Sequence, residues 1–189
     1  MAPSCSRLVG GRGDAGVAAR DRCPHCPHRS EQGPVIEGVL RVPLRLFEDE
    51  RGWFAEISRE SLLPKPTRQT NVSFSRQGVI RGLHYHERGQ DDLFVCLQGT
   101  ARVVVLDRST GESFTEDIGD ENPVALYIPG RHAHGFEALT DLLFCYHVTE
   151  EYDPAAPDEH GLCWADPRVK HLWSTESPIL SERDLEACS

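Results

Sequence analysis

Residues 79–107 read Val79-Ile-Arg-Gly-Leu-His-Tyr-His-Glu-Arg-Gly-Gln-Asp-Asp-Leu-Phe-Val-Cys-Leu-Gln-Gly-Thr-Ala-Arg-Val-Val-Val-Leu-Asp107. Three short apolar runs stand out, Val79–Tyr85, Leu93–Leu97 and Ala101–Asp107, with glycine-bearing polar breaks between them. Runs of this length, rich in Val, Leu and aromatics and bounded by turn residues, are strands. The same rhythm continues outward through Val39–Phe47, Val124–Ile128, His134–Leu139 and Leu142–Thr149. Ser109-Thr-Gly-Glu112 and Asp120-Glu-Asn-Pro123 supply further turns. No window of twelve or more residues carries a helical stripe, and Ser58–Leu63 has room for one or two turns at most. Many short antiparallel strands without βα alternation predict an all-β sandwich or jelly-roll barrel. The tail after Tyr152, with Pro154, Pro157, Pro167 and Pro178, reads as a segment wrapped on that barrel.

The chain has 189 residues, enough for one domain and an extension. Residues 1–34 are rich in Gly, Arg, Pro and Cys without apolar periodicity, so they read as a flexible N-terminal extension ahead of a domain at 35–189. Cys23-Pro-His-Cys26-Pro-His28 has the spacing of half a zinc site but no second pair nearby. The 20 Lys and Arg against 30 Asp and Glu give a net charge of −10, which opposes binding to nucleic acid or an anionic membrane. No apolar run is long enough to span a bilayer. The start lacks the apolar core of a secretory signal, so a cytoplasmic protein with seven reduced cysteines and no disulfide framework is expected.

Three stretches carry polar groups that a plain barrel does not need: Arg81-Gly-Leu-His-Tyr-His86 with Gln90-Asp-Asp92, Ile128-Pro-Gly-Arg-His-Ala-His-Gly-Phe136, and Cys145-Tyr-His-Val-Thr-Glu-Glu-Tyr152. Strand alternation puts His84 and His86 on one face and Arg81, Leu83 and Tyr85 on the other. Clustered imidazoles serve either proton transfer or metal ligation.

On these residues the chain resembles the dTDP-4-dehydrorhamnose 3,5-epimerase family, cupins acting on nucleotide-linked 4-keto-6-deoxy sugars. The resemblance runs from about Val35 to Asp184. It rests on Asp49-Glu-Arg-Gly-Trp-Phe-Ala-Glu56, Gln69-Thr-Asn71, Gly78-Val-Ile-Arg-Gly-Leu-His-Tyr85, Pro129-Gly-Arg-His-Ala-His-Gly-Phe136, Tyr146, Glu151-Tyr-Asp-Pro154, Trp164-Ala-Asp-Pro167 and Leu180-Ser-Glu-Arg-Asp184. The resemblance implies a cupin jelly roll with short peripheral helices and no cofactor. It implies that His84 is the base, that Asp184 or another carboxylate orients it, and that Tyr146 returns a proton on the far side of the sugar. Arg81 and His134 match groups lining the pocket, Arg81 being placed for a developing oxyanion. Arg51, Glu56, Gln69 and Asn71 match the nucleotide-diphosphate site, and Tyr152 an aromatic over the pyrimidine. The strand bearing Arg51 often completes the partner's site in this family, which implies a homodimer with a nucleotide-sugar substrate.

The chain also departs from the family pattern. Asp92 stands where a lysine usually helps hold the enolate oxygen, Val103 replaces a frequent aspartate, and His86 lies two residues after the base. His84, His86, Asp92 and His134 rebuild the three-His, one-carboxylate set by which other cupins hold one divalent metal ion. Two further readings follow: a metal-dependent cupin doing another isomerisation or an oxidation, and a non-catalytic nucleotide-sugar-binding relative. If His84 ligates a metal, its lone pair is occupied and it cannot be the base.

Overall fold

The computed structural model describes residues 36–189; the 1–34 extension and its Cys23–His28 cluster lie outside them. Twelve strands follow in order: β1 (Leu40–Pro43), β2 (Leu46–Asp49), β3 (Gly52–Ala55), β4 (Gln69–Ser75), β5 (Ile80–Tyr85), β6 (Asp91–Gln98), β7 (Thr100–Leu106), β8 (Ser113–Gly119), β9 (Val124–Pro129), β10 (Ala133–Ala138), β11 (Leu142–Val148) and β12 (His160–Gly161). A short helix, α1 (Glu182–Glu186), closes the chain, and two single 3₁₀ turns cover Glu60–Leu62 and Lys170–Leu172. Two five-stranded antiparallel sheets, in the orders β1-β9-β6-β11-β4 and β12-β5-β10-β7-β8, form a cupin jelly roll, and β2-β3 is a separate hairpin.

Between the sheets, Phe94, Leu126, Ile128 and Phe144 of the first meet Val103, Val105, Ile118 and Phe136 of the second. The outer faces are covered too. Val169 and Trp173 of the tail pack on Ile80, Leu83, Val104 and Leu106, while Val42, Leu44, Ile57 and Leu63 cover Leu93, Val95, Ala125 and Tyr127. Burial on both faces is why Val103-Val-Val-Leu106 reads as an unbroken apolar run, with all four residues fully buried. The tail therefore wraps the barrel as its prolines suggest. At the β6–β7 corner, Gly99 has φ +83°, and a Cβ there would lie 2.5 Å from the Asp141 carbonyl oxygen, so the chain changes sheets on a residue without a side chain.

Several sequence expectations need correction. Val39–Phe47 is two strands, interrupted after Pro43 where Leu44 N–H turns to the Pro123 carbonyl; the proline sits on an edge strand, where no ladder donor is lost. Strand β4 was not foreseen, because its pattern is inside out. Gln69, Asn71 and Ser75 turn inward, while Val72 and Phe74 are 58% and 60% exposed. Strands β3, β8 and β12 were also missed, the last being only two residues long. The reduced-thiol expectation fails at two positions: Cys163 and Cys188 form a disulfide, while Cys96 and Cys145 are free and buried. Packing of the C-terminal helix against Gly161, where a Cβ would come within 2.9 Å of Ala187 Cβ, brings those distant thiols together.

Candidate active site

A cavity of about 790 Å³ opens between the sheets. Asn71 of β4, Asp92 of β6 and Tyr146 of β11 face it from the first sheet; Arg81 and His84 of β5, His86 just past its end, and His134 of β10 face it from the second. Simple alternation placed Arg81 opposite to His84, and the structure overturns that. The β5–β10 register runs from His84↔His134 to Arg81↔Phe136, so two residues of β5 stand against one of β10. This bulge shifts the alternation by one residue and turns Arg81 into the cavity beside His84. It is built on glycine. Gly82 has φ +124°, and a Cβ on it would lie 2.8 Å from Gly135 Cα. Arg81 is then held by Nε–H donation to Ser75 Oγ at 3.0 Å and Nη2–H donation to the Phe74 carbonyl at 3.3 Å.

Both nitrogens of His84 end on carboxylates: Nε2 on Asp184 Oδ1 at 2.8 Å and Nδ1 on Glu159 Oε1 at 3.0 Å. Burial disfavours the charged ring, but the Asp184 and Glu159 bonds outweigh it, so the His84 pKa is raised. Asp184 is a buried carboxylate rather than a solvated C-terminal one. Ser181 caps α1, accepting the Asp184 N–H on Oγ, and donates its hydroxyl to Asp184 Oδ2 at 2.8 Å. The spacing Ser-x-x-Asp is a capping box. Glu159 is pinned by Arg183 and, against the cost of burial, His84 and Arg183 hold its pKa down to about 2. Arg183 Nη2 also lies 3.0 Å from His84 Nε2.

A second cluster sits deeper. His134 Nε2 is 3.1 Å from Asp92 Oδ2, His86 Nε2 is 3.9 Å from the same oxygen, and Gln90 Nε2–H donates to Asp92 Oδ1 at 2.9 Å. Burial alone would raise the Asp92 pKa, but its bonds to His134 and His86 hold it far below the usual carboxylate range. His84 does not join this cluster, so the expected four-residue metal set is not assembled; the structure groups only His86, Asp92 and His134. The reason is local: both ring nitrogens of His84 are already engaged by Asp184 and Glu159.

Tyr146 lines the wall across from His84, and its hydroxyl makes no hydrogen bond to another described residue. Burial raises its pKa, with the Arg81 charge opposing. At the cavity edge Gln69 donates to Asn71 Oδ1 at 2.9 Å and accepts the Tyr152 N–H at 2.8 Å, which sets Tyr152, 59% exposed, at the mouth.

The dTDP-4-dehydrorhamnose 3,5-epimerase model matches residues 34–189. The chain belongs to the dTDP-4-dehydrorhamnose 3,5-epimerase family. It is similar to the spore coat polysaccharide biosynthesis protein SpsL of Bacillus subtilis, with 39% identity over 75% of this chain and 99% of that protein. It is 37% identical to the dTDP-4-dehydrorhamnose 3,5-epimerase of Escherichia coli over 79% of this chain and 88% of that one. The solved dTDP-6-deoxy-D-glucose-3,5-epimerase RmlC of Legionella pneumophila, in complex with dTDP-4-keto-L-rhamnose, superposes with a TM-score of 0.72 at 31% identity, covering 80% of this chain and 87% of that one.

Of the residues expected from the epimerase resemblance, the cavity gathers His84, Tyr146, Asp184, Arg81, His134, Gln69, Asn71 and Tyr152. It does not gather Arg51 or Glu56. Arg51 pairs with Asp49 on the β2–β3 hairpin, its side chain 85% exposed, and Glu56 pairs with Arg59. Sequence reading gave no role to Glu159, Arg183 or Gln90, although the last two lie in stretches it singled out. Arg183 lies inside the Ser181–Asp184 capping box, a signal that was legible. Glu159 precedes a two-residue strand and carries no local pattern.

Proposed function

We propose that this chain epimerises a dTDP-linked 4-keto-6-deoxyhexose at carbons beside the C4 ketone. The single observation that carries this reading is the descent of His84 and Tyr146 from facing sheets onto one cavity. Inversion at carbon requires a proton to leave one face and another to arrive on the opposite face. In this reading buried Asp184 keeps Nε2 of His84, and the imidazole, once neutral, takes the acidified C–H proton at Nδ1 as substrate displaces Glu159. Arg81 faces the oxyanion that develops at the ketone, and the Tyr146 hydroxyl delivers the new proton. These steps move protons only and call on no redox cofactor. Such an enzyme is an isomerase.

The nucleotide end is read at the mouth, with Tyr152 over the pyrimidine and Gln69 and Asn71 beneath it. The hairpin supports a homodimer. Two strands alone are marginal in water, yet this pair exposes Phe47, Trp53 and Phe54, and the edge strand β4 exposes Val72 and Phe74. Aromatic surface of that kind marks a protein interface. In the dimer Arg51 and Glu56 would serve the partner's diphosphate site, the guanidinium fork gripping phosphate oxygens against an acidic protein. The reading places the chain in the cytoplasm with the nucleotide pool; among the described residues no helix is long and apolar enough to cross a membrane.

Incubation with dTDP-4-keto-6-deoxyglucose in D₂O tests the reaction. Deuterium entering beside the ketone, with inverted product, is expected. A folded protein that binds the nucleotide sugar and exchanges no hydrogen would end the proposal.

A further inference from the structure

The cluster of His86, Asp92 and His134 is not used by the proton transfers above, and its hydrogen bonds have a directional pattern. His86 Nδ1 faces the Asp158 carbonyl, and His134 Nδ1 lies 2.9 Å from the His132 carbonyl. A carbonyl only accepts, so each ring carries its proton on Nδ1 and, when neutral, presents the bare Nε2 lone pair. Both Nε2 atoms turn toward Asp92, itself an acceptor. The lone pair of His134 therefore meets Asp92 Oδ2 at 3.1 Å, and nothing but a positive species between or on them makes that contact favourable. No lysine or arginine bonds Asp92 among the described residues; its contacts are Gln90, His86 and His134. All three cluster side chains are buried, 2% to 7% exposed, yet line the cavity.

This is the construction of a metal site. Imidazoles fixed at one nitrogen by a backbone carbonyl present the other in a set direction, which is the outer-shell arrangement that orients metal-ligating histidines. Two histidines and one carboxylate with room beside them suit a divalent first-row ion. Ligand atoms at about 2.0–2.2 Å from such an ion stand about 3 Å or a little more from one another. The observed separations from Asp92 Oδ2 are 3.1 and 3.9 Å, and the three ligand atoms all lie within 4.8 Å of one another. Gln90 Nε2 bridges His86 Nε2 at 3.0 Å and Asp92 Oδ1 at 2.9 Å, so its flexible side chain must swing aside as the ion takes the His86 lone pair.

We propose that His86 Nε2, Asp92 and His134 Nε2 bind one divalent transition-metal ion whose remaining positions open to the cavity. The site differs from the four-residue set expected from sequence in excluding His84, so metal binding leaves that imidazole free to act as base. Its role rests on the epimerase reading: a cation here supplies a Lewis acid to the keto oxygen in the cavity where the expected lysine is replaced by Asp92. The site itself does not depend on that reading.

The test is titration of the full-length, chelator-stripped protein with Co²⁺, followed by calorimetry and visible absorption. One equivalent is expected, without thiolate charge-transfer bands, retained in Cys23→Ser/Cys26→Ser and weakened more than about 10-fold in both Asp92→Asn and His134→Gln. Circular dichroism establishes that those variants fold. No Co²⁺ bound, binding lost in the cysteine variant, or binding unchanged in Asp92→Asn and His134→Gln each overturns the site, leaving a buried imidazolium–carboxylate pair. Deuterium exchange measured with and without Co²⁺ separates the two proposals. Exchange without metal binding sinks the metal site alone, whereas metal binding without exchange in either condition sinks the epimerase reading.

Discussion

Replacing Tyr146 by phenylalanine removes one oxygen from a cavity wall and should separate proton abstraction from inversion. The phenol makes no hydrogen bond to another described residue, so its loss orphans no donor or acceptor. The ring keeps its edge-on contact with Phe94 at 6.3 Å between centroids. A substitution of this kind changes stability by no more than about 0.5 kcal/mol. The chemical cost is of another size. A positioned general acid contributes about 10²–10⁴-fold, or about 2.7–5.5 kcal/mol of barrier. His84 with Asp184 and Glu159 remains intact on the facing sheet, so it continues to remove the proton and return solvent deuterium to the same face. The assay is NMR of the nucleotide sugar in D₂O, scoring deuterium wash-in and inverted product separately. Tyr146→Phe should lose inverted product by at least 100-fold while wash-in with retained configuration persists, and His84→Asn should lose both. Tyr146→Phe forming inverted product at more than a tenth of the wild-type rate would refute the assignment of the acid, as would equal loss of wash-in and inversion in a normally folded protein.

Glu159→Gln removes one of the two carboxylates that favour the His84 imidazolium, so the ring loses its proton at lower pH and the acidic limb of kcat/KM should move down; a profile that stays put or moves up would contradict the geometry. The same substitution bears on acid stability. The folded Glu159 pKa of about 2 lies below its ordinary 4.5, so its stabilisation is present above pH 4.5 and is lost as pH falls toward 2, and Glu159→Gln should flatten denaturation across that window. Cys188→Ser opens a crosslink with a sequence separation of 25, worth about 3.5 kcal/mol on loop entropy. It also loosens the helix that carries Arg183 and Asp184, so thermal scans should show a lower midpoint and turnover should fall; unchanged values would make the bond incidental. In the proposed homodimer the hairpin forms the interface, so Trp53→Ser with Phe54→Ser should scatter light as a monomer and raise KM for the nucleotide sugar; a wild-type protein that is itself monomeric, or a variant still dimeric, would disprove that interface.

The strands of the barrel were legible where burial repeats along the chain. Ile80–Tyr85, Asp91–Gln98 and Thr100–Leu106 fall almost where apolar runs predicted them, since the stretches covered on both faces, such as Leu93–Leu97 and Val103–Leu106, must be apolar at every position. Strand β4 escaped notice because it inverts that rule, turning amides into a polar cavity and apolar residues outward. Alternation and clustered imidazoles drew attention to His84, and a polar stretch to Tyr146, but the roles expected of His84, Tyr146 and Asp184 came from motifs in order.

What the sequence determined by itself is the β architecture, the family and the identity of the polar side chains, because these follow from residue type and local order. Tertiary structure alone decided which of those side chains meet. A bulge on Gly82, set by close approach to Gly135, swung Arg81 to the side of His84 against the two-residue period. Packing of the tail on the second sheet carried Asp184 and Glu159 onto both nitrogens of His84 and left His86 and His134 to Asp92. Partners 75 and 100 residues apart in sequence have no local signal, and only the closing of the barrel brings them within a hydrogen bond.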